Sequence, residues 1–173
     1  MKKTVCILLL AALIISSMHS CRQRAGRNNS RSSSRDAQTT ETTRGKTVVK
    51  MRKEGGVYHV PCKINGAEME FIFDTGASNI TISLVEALYL YKQGKLKDED
   101  FQGTAQYQIA DGSISEGSII QLRTVEIGGK KLTNVKASIV HNMDAPLLLG
   151  QSALAKFGKI SINYQKNEII FEQ

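Results

Sequence analysis

The run Phe71-Ile72-Phe73-Asp74-Thr75-Gly76-Ala77-Ser78 delivers a carboxylate from three consecutive apolar residues straight into a turn of small residues. Three apolar residues ahead of it imply burial, and an ionised carboxylate buried without a partner costs several kcal/mol. Something has to satisfy Asp74. The candidates within reach are the Thr75 hydroxyl, the Gly76 amide and, across a two-fold axis, a second copy of Asp74 itself. Two carboxyls sharing one proton would supply a base that takes a proton from water and an acid that protonates a carbonyl, the equipment for hydrolysing an amide. The rival is an Asp in an ordinary turn, where Asp and Gly are common.

The remaining reactive side chains offer less. Cys62 lies in the apolar strand pattern His59-Val60-Pro61-Cys62-Lys63-Ile64 and reads as a small buried hydrophobe rather than a nucleophile or ligand. His59 and His141 could be combined with Cys62 or Asp144 around zinc. Neither Cys-x-x-Cys nor His-x-x-x-His spacing occurs, so no metal and no organic cofactor is expected. Asp111 sits in the polar Asp111-Gly112-Ser113 stretch and reads as a solvated turn residue.

Short strands must position these groups. Val57 to Ile64 and Met69 to Phe73 flank Asn65-Gly66, the strongest short-range hairpin signal. Ser83 to Gln93 changes period: Leu84, Leu88 and Tyr91 fall at i, i+4 and i+7, and Ser83 can cap with Glu86 three residues on. Gln106 to Ala110 and Ser118 to Ile127 are strands around the Asp111 turn, and Gly128-Gly129 leads into Leu132 to Val140. The apolar Leu147-Leu148-Leu149-Gly150 follows, then a short helical pattern through Phe157. A terminal hairpin, Ile160 to Tyr164 and Glu168 to Phe171, closes the chain. The expected fold is mainly β with one or two short helices and no internal repeat.

Asp74-Thr75-Gly76-Ala77-Ser78 is similar to the active-site loop of the retropepsin-like aspartic proteases, and the later landmarks follow in that family's order. Asp111-Gly112-Ser113 stands where the family has its flap. Leu147-Leu148-Leu149-Gly150 and the helix Gln151 to Lys156 resemble its second landmark, and Ile162-Asn163-Tyr164 with Ile169-Ile170-Phe171 resemble its terminal hairpin. The resemblance implies a closed β-barrel over residues 48–173, with Asp74 as the catalytic residue. It implies that Thr75 and Gly76 support the site, Thr75 by reaching across to the partner's loop. Ala77, Ser78, Ala110, Asp111, Gly112 and Ser113 would bind an extended polypeptide through the main chain, with Leu147 to Gly150 as the floor. The match has departures. Retroviral members often carry Asp where Ser78 stands and Arg where Gln151 stands, and those two pair; both positions are neutral here, which points to a cellular bacterial branch. Asp111 replaces a run of flap glycines. The Ser83 to Gln93 helix and Asp98-Glu99-Asp100 look like an insertion.

The chain has 173 residues and one Asp-Thr-Gly, without a second Asp-Thr-Gly or Asp-Ser-Gly. A two-lobed monomer is too long for it. An active enzyme would therefore be a two-fold homodimer with Asp74 from each subunit. Two such carboxyls at ~3 Å cannot both ionise, so the pair shares a proton. The alternative is a retropepsin-like module that binds peptides or a partner protein at the cell envelope without cutting them.

Composition removes other classes. With 41% hydrophobic residues, 23% charged, 3 Cys and 2 Pro, the chain is neither collagen, nor a disulfide-stapled miniprotein, nor wholly disordered. The net charge of +7 does not make a nucleic-acid binder. Residues 22–53 carry ten Lys/Arg against Asp36 and Glu41, whereas residues 54–173 carry eleven against fourteen Asp/Glu, so the globular part is mildly acidic. Lys2 and Lys3, the apolar Val5 to Ile15 and the polar Ser16 to Ser20 form a secretory leader over residues 1–20. The apolar run spans ~16 Å as a helix, about half a bilayer core. Met18-His19-Ser20-Cys21 resembles a bacterial lipobox, implying lipid on Cys21 and a membrane-anchored, periplasmic protein; an ordinary cleaved leader is the alternative. Residues 21–47, rich in Arg, Ser, Thr, Asn and Gln, read as a disordered tether. Its Arg residues could touch anionic lipid.

Overall fold

The structure is a computed structural model that describes residues 40–43, 45–108 and 111–172. In chain order its elements are β1 (Thr40–Thr43), β2 (Lys46–Lys50), β3 (Arg52–Glu54), β4 (Val57–Ile64), β5 (Ala67–Phe73), β6 (Ile80–Ser83) and α1 (Leu84–Lys92). A 3-10 turn, Asp98–Asp100, precedes β7 (Phe101–Gln108) and β8 (Ile114–Ile127). Then come β9 (Lys130–Val140), β10 (Leu148–Leu149), α2 (Gln151–Leu154), a second 3-10 turn, Ala155–Phe157, β11 (Lys159–Asn163) and β12 (Glu168–Glu172).

The pairings β4–β5, β5–β10, β10–β6, β6–β9, β9–β8 and β8–β4 return to their starting strand, so six strands close a ring. Closure removes the open edges that a free sheet would present. Inward residues alternate along each strand: Val60, Cys62 and Ile64 on β4, Ile80 and Ile82 on β6, Ile120 and Leu122 on β8 are all at most 3% exposed. Phe71, at 1% exposure, fills the same core from β5 and by itself is worth about 2–3 kcal/mol. The turn between β4 and β5 is Asn65-Gly66 with φ of 49° and 82°, the left-handed pair that a tight two-residue hairpin needs. β7 extends the sheet beyond the ring. A separate four-stranded sheet, ordered β1-β2-β12-β11, carries the terminal hairpin.

Two strand starts and one helix face differ from the sequence reading. Strand pairing begins at Thr40, inside the stretch read as tether, with Thr40↔Val49 to Thr43↔Lys46 in register. There Thr47 and Val49 are buried, so β-branched residues on every second position did more than the polar composition suggested. β7 starts at Phe101 rather than Gln106, because Thr and Gln on an exposed strand give no apolar alternation. Helix α1 lies where the period placed it, with Ser83 Oγ accepting from the Glu86 amide at 3.3 Å. Its buried side, however, is Ala87 and Leu90, while Leu88 and Tyr91 face outward.

Candidate active site

Asp74 follows the last residue of β5, and the chain turns through residues 74–79 into β6. β10 lies between those two strands, parallel to β5 through Leu148↔Ile72 and Leu149↔Phe73, antiparallel to β6 through Leu148↔Thr81. A segment some 75 residues downstream is thereby laid directly under the turn. The Ile72 amide donates to Leu147 O at 2.8 Å and the Asp74 amide to Leu149 O at 3.3 Å. Just past β10 the first amides of α2 complete the clamp, Gln151 N–H to Ala77 O and Ser152 N–H to Ser78 O, both at 2.9 Å. The Gln151 side-chain amide donates to Thr75 O.

Gly150 is where sequence and geometry meet most tightly. A Cβ there would lie 2.3 Å from Asn79 O and 2.7 Å from Ala77 O, both main-chain atoms that cannot step aside. The aliphatic run is therefore floor and clamp together. Leu149 enters the core, Leu147 packs against it, and the glycine lets the loop backbone rest upon the strand.

Within the loop, Asp74 Oδ1 accepts the Gly76 amide at 2.7 Å. Of the partners considered for this carboxylate, the amide two residues on is the one present in the chain. The burial expected for Asp74 is partial: it and Ala77 are half-buried, and Thr75, Gly76 and Ser78 are exposed. The physical reason is that the strand ends at Phe73, so the next residue lies on the rim rather than in the core. One side of the loop is thus gripped by β10 and α2 and the other is open.

The second group of expected site residues forms the end of the β7–β8 hairpin. Asp111 Oδ1 accepts the Ser113 amide at 2.8 Å, and the Gln108 side-chain amide donates to Gly112 O at 3.5 Å. The Ser113 N–H holds the Asp111 carboxyl below its ordinary value. Asp111, Gly112 and Ser113 are exposed, and among the described residues no hydrogen bond joins them to the Asp74 loop. Ala110 and Cys21 lie outside the described residues.

Other reactive groups stay apart. Cys62 is buried with Sγ toward Val60 O at 3.5 Å, and burial pushes its thiol pKa far up, which suits an inert core residue. Among the described residues no three His, Cys, Asp or Glu side chains gather as a metal would require. His141 Nε2 is 3.0 Å from Ser118 Oγ, away from His59 and Cys62. Gln151 is the residue whose role the sequence understated. It was noticeable only as a neutral replacement, whereas its amide carries out a neutral version of the same task, tying helix to loop.

A strand–Asp-Thr-Gly–strand turn with an aliphatic-Gly strand threaded between its arms, and a free hairpin beyond, is the arrangement to compare with known proteins. Residues 60–156, more than half of the chain, match the family described as "gag-polyprotein putative aspartyl protease". The chain belongs to this family. Its retropepsin-like fold is similar to the crystal structure of a retropepsin-like aspartic protease from Rickettsia conorii, at 26% identity over 74% of this chain and 99% of that one, with a TM-score of 0.55. No curated protein matches the sequence. The mainly β, retropepsin-like architecture expected from the motifs is thus the architecture found, and β4 to α2 are the retropepsin-like part that the family match spans.

Proposed function

We propose that this retropepsin-like protein is an aspartic endopeptidase whose active form is a homodimer, with one Asp74 from each subunit. The observation that carries the reading is the loop itself. A single carboxylate per chain is oriented by the Gly76 amide, braced from one side by β10 and α2, and left open on the other. An open, rigid face bearing half of a dyad is what a second copy would complete.

In the paired site the two carboxyls share one proton, because like charges that close cannot both ionise. The ionised member takes a proton from a water held between them, and that water attacks the scissile carbonyl carbon. The protonated member donates to the carbonyl oxygen, giving a tetrahedral diol. Collapse breaks the C–N bond as a proton passes to the leaving nitrogen, and the dyad again holds one proton. Gly76 and Asp74 keep their mutual geometry throughout, and Thr75 O stays tied to Gln151. Thr75 is exposed, and in the dimer it meets the partner's loop. Ala77, Ser78 and the flap segment Ala110 to Ser113 bind an extended polypeptide by main-chain hydrogen bonds.

The experiment is cleavage of unfolded casein from acid to neutral pH, with binding of a pepstatin-type inhibitor measured in parallel. Cleavage by the wild type that is lost in Asp74→Asn is the expected result. Inhibitor or peptide binding without cleavage at any pH would instead establish a binding module. We place the protein outside the cytoplasm, held to a membrane by lipid on Cys21. Incorporation of labelled palmitate that disappears in Cys21→Ser is expected, and labelling unchanged by that substitution refutes the anchor.

A further inference from the structure

The inner wall of the flap hairpin carries a charge that the aspartic dyad does not use. Directly opposed residues on antiparallel strands share a face. In register, Ile120↔Ala137, Leu122↔Val135 and Ser118↔Ile139 place Ile120, Leu122, Val135, Ala137 and Ile139 together on the face that joins the core. The same alternation runs without a break up β8 to Ser118 and Glu116, and across to β7 through Thr104↔Ser118 and Gln106↔Glu116. His141 continues the line on the far side, its amide donating to Glu116 O at 3.1 Å. The side of the sheet that is packed core lower down therefore emerges, beyond Ile120, as a polar wall.

That wall lines an open cleft of about 380 Å³ bounded by Thr104, Ala105, Gln106, Glu116, Gly117 and His141. Gly117 pairs with Ala105 on the back of this wall. A Cβ on Gly117 would meet Ile139 O at 2.3 Å and the Tyr107 ring at 2.7 Å, so the strands close up behind the cleft. His141 Nε2 is engaged with Ser118 Oγ. Glu116 is the one carboxylate lining the cleft, and among the described residues it makes no salt bridge, whereas Glu54, Glu68, Glu70, Glu99, Glu168 and Glu172 each do.

We propose that this cleft is a specificity site for a Lys or Arg side chain of the polypeptide substrate, paired by Glu116. The proposal rests on the endopeptidase reading, in which the extended substrate runs under the flap and presents alternate side chains to it. A long basic side chain lays its methylenes along the main chain of Ala105 and Gly117 and brings its cationic head to the Glu116 carboxylate. Thr104 Oγ1 and Gln106 Oε1 are further acceptors for the remaining N–H groups. A charge-assisted pair of this kind shifts affinity by about tenfold.

The test uses full-length Asp74→Asn protein, so that peptides bind without being cut. Binding of a fluorescent peptide library is measured in which one position at a time is Lys, its uncharged isostere norleucine, or Glu. Expected is one position at which Lys binds about tenfold tighter than norleucine and Glu binds weakest. In Glu116→Gln that preference disappears while norleucine peptides bind as before, and in Glu116→Lys it inverts toward Glu. Lys, norleucine and Glu binding alike at every position, or a Lys preference that survives Glu116→Gln, overturns the site. Failure of any peptide to bind overturns it as well. Cleavage by the wild type, followed separately, reports on the endopeptidase reading: cutting with no Lys preference discards this site alone, and selective binding without cutting keeps it and discards proteolysis.

Discussion

The Asp74 loop and the flap tip are both short connections between strands, yet they are held in opposite ways. The loop's carbonyls at Thr75, Ala77 and Ser78 take hydrogen bonds from Gln151 and Ser152, three-quarters of a hundred positions away in the chain. The flap tip is held by Asp111 with Ser113 and Gln108 with Gly112, contacts that span at most four residues. Long-range bonds fix the loop only if the whole barrel is folded, and then they fix it firmly. Among the described residues, local bonds order the tip without tying it to the Asp74 loop. A site for hydrolysis needs both, a carboxylate that does not move and a cover that does.

Breaking the chemistry and leaving the clamp intact should give the largest effect. Asp74→Asn retains the shape of the loop and removes the charge. Cleavage of casein is expected to fall on the order of 10³-fold or more, with the urea midpoint of unfolding close to that of the wild type. Next comes the clamp. Gly150→Ala forces a methyl group into the Asn79 and Ala77 carbonyls and should cost about 3 kcal/mol in urea unfolding, with activity lost in proportion. Gln151→Ala removes a single side-chain bond to Thr75 O and should cost about 1 kcal/mol. Its activity should fall by more than that stability loss predicts, since the bond acts on the loop's shape.

The flap should respond differently. Asp111→Ala is expected to change stability by less than ~0.5 kcal/mol and to appear as a raised KM with kcat little altered. The smallest effect is a titration. Because the Ser113 N–H lowers the Asp111 carboxyl's pKa, the contact is fully present above the ordinary carboxylate value of 3.8 and is lost as the pH falls through the lowered one. The Ser113 amide resonance should follow that loss, and amides buried in the barrel core such as Leu122 should not move with it.

The same contrast explains what the sequence made legible. β4, the Asn65-Gly66 turn and α1 follow from apolar period and turn chemistry, signals that lie within a few residues of one another. The Asp74 loop and the Leu147 to Gly150 run were each visible as unusual segments. That one lies beneath the other came from family resemblance, because no local pattern encodes a pairing between Phe73 and Leu149. Strands β1 and β2 were hidden in polar composition, and β7 for the same reason: an exposed strand of Thr and Gln has no apolar alternation to read. The outward face of Leu88 and Tyr91 was misjudged because α1 is apolar nearly all round, so several faces fit the period equally well.

The central claim is that one active site is built from two chains. Wild-type protein at fixed concentration, mixed with increasing Asp74→Asn protein and allowed to exchange subunits, measures it directly. Each inactive subunit captures a wild-type partner into a dimer with half a dyad, so the casein-cleaving rate should decline steadily toward zero as the variant passes into excess. A rate that stays constant however much of the variant is added would show that each chain cuts alone.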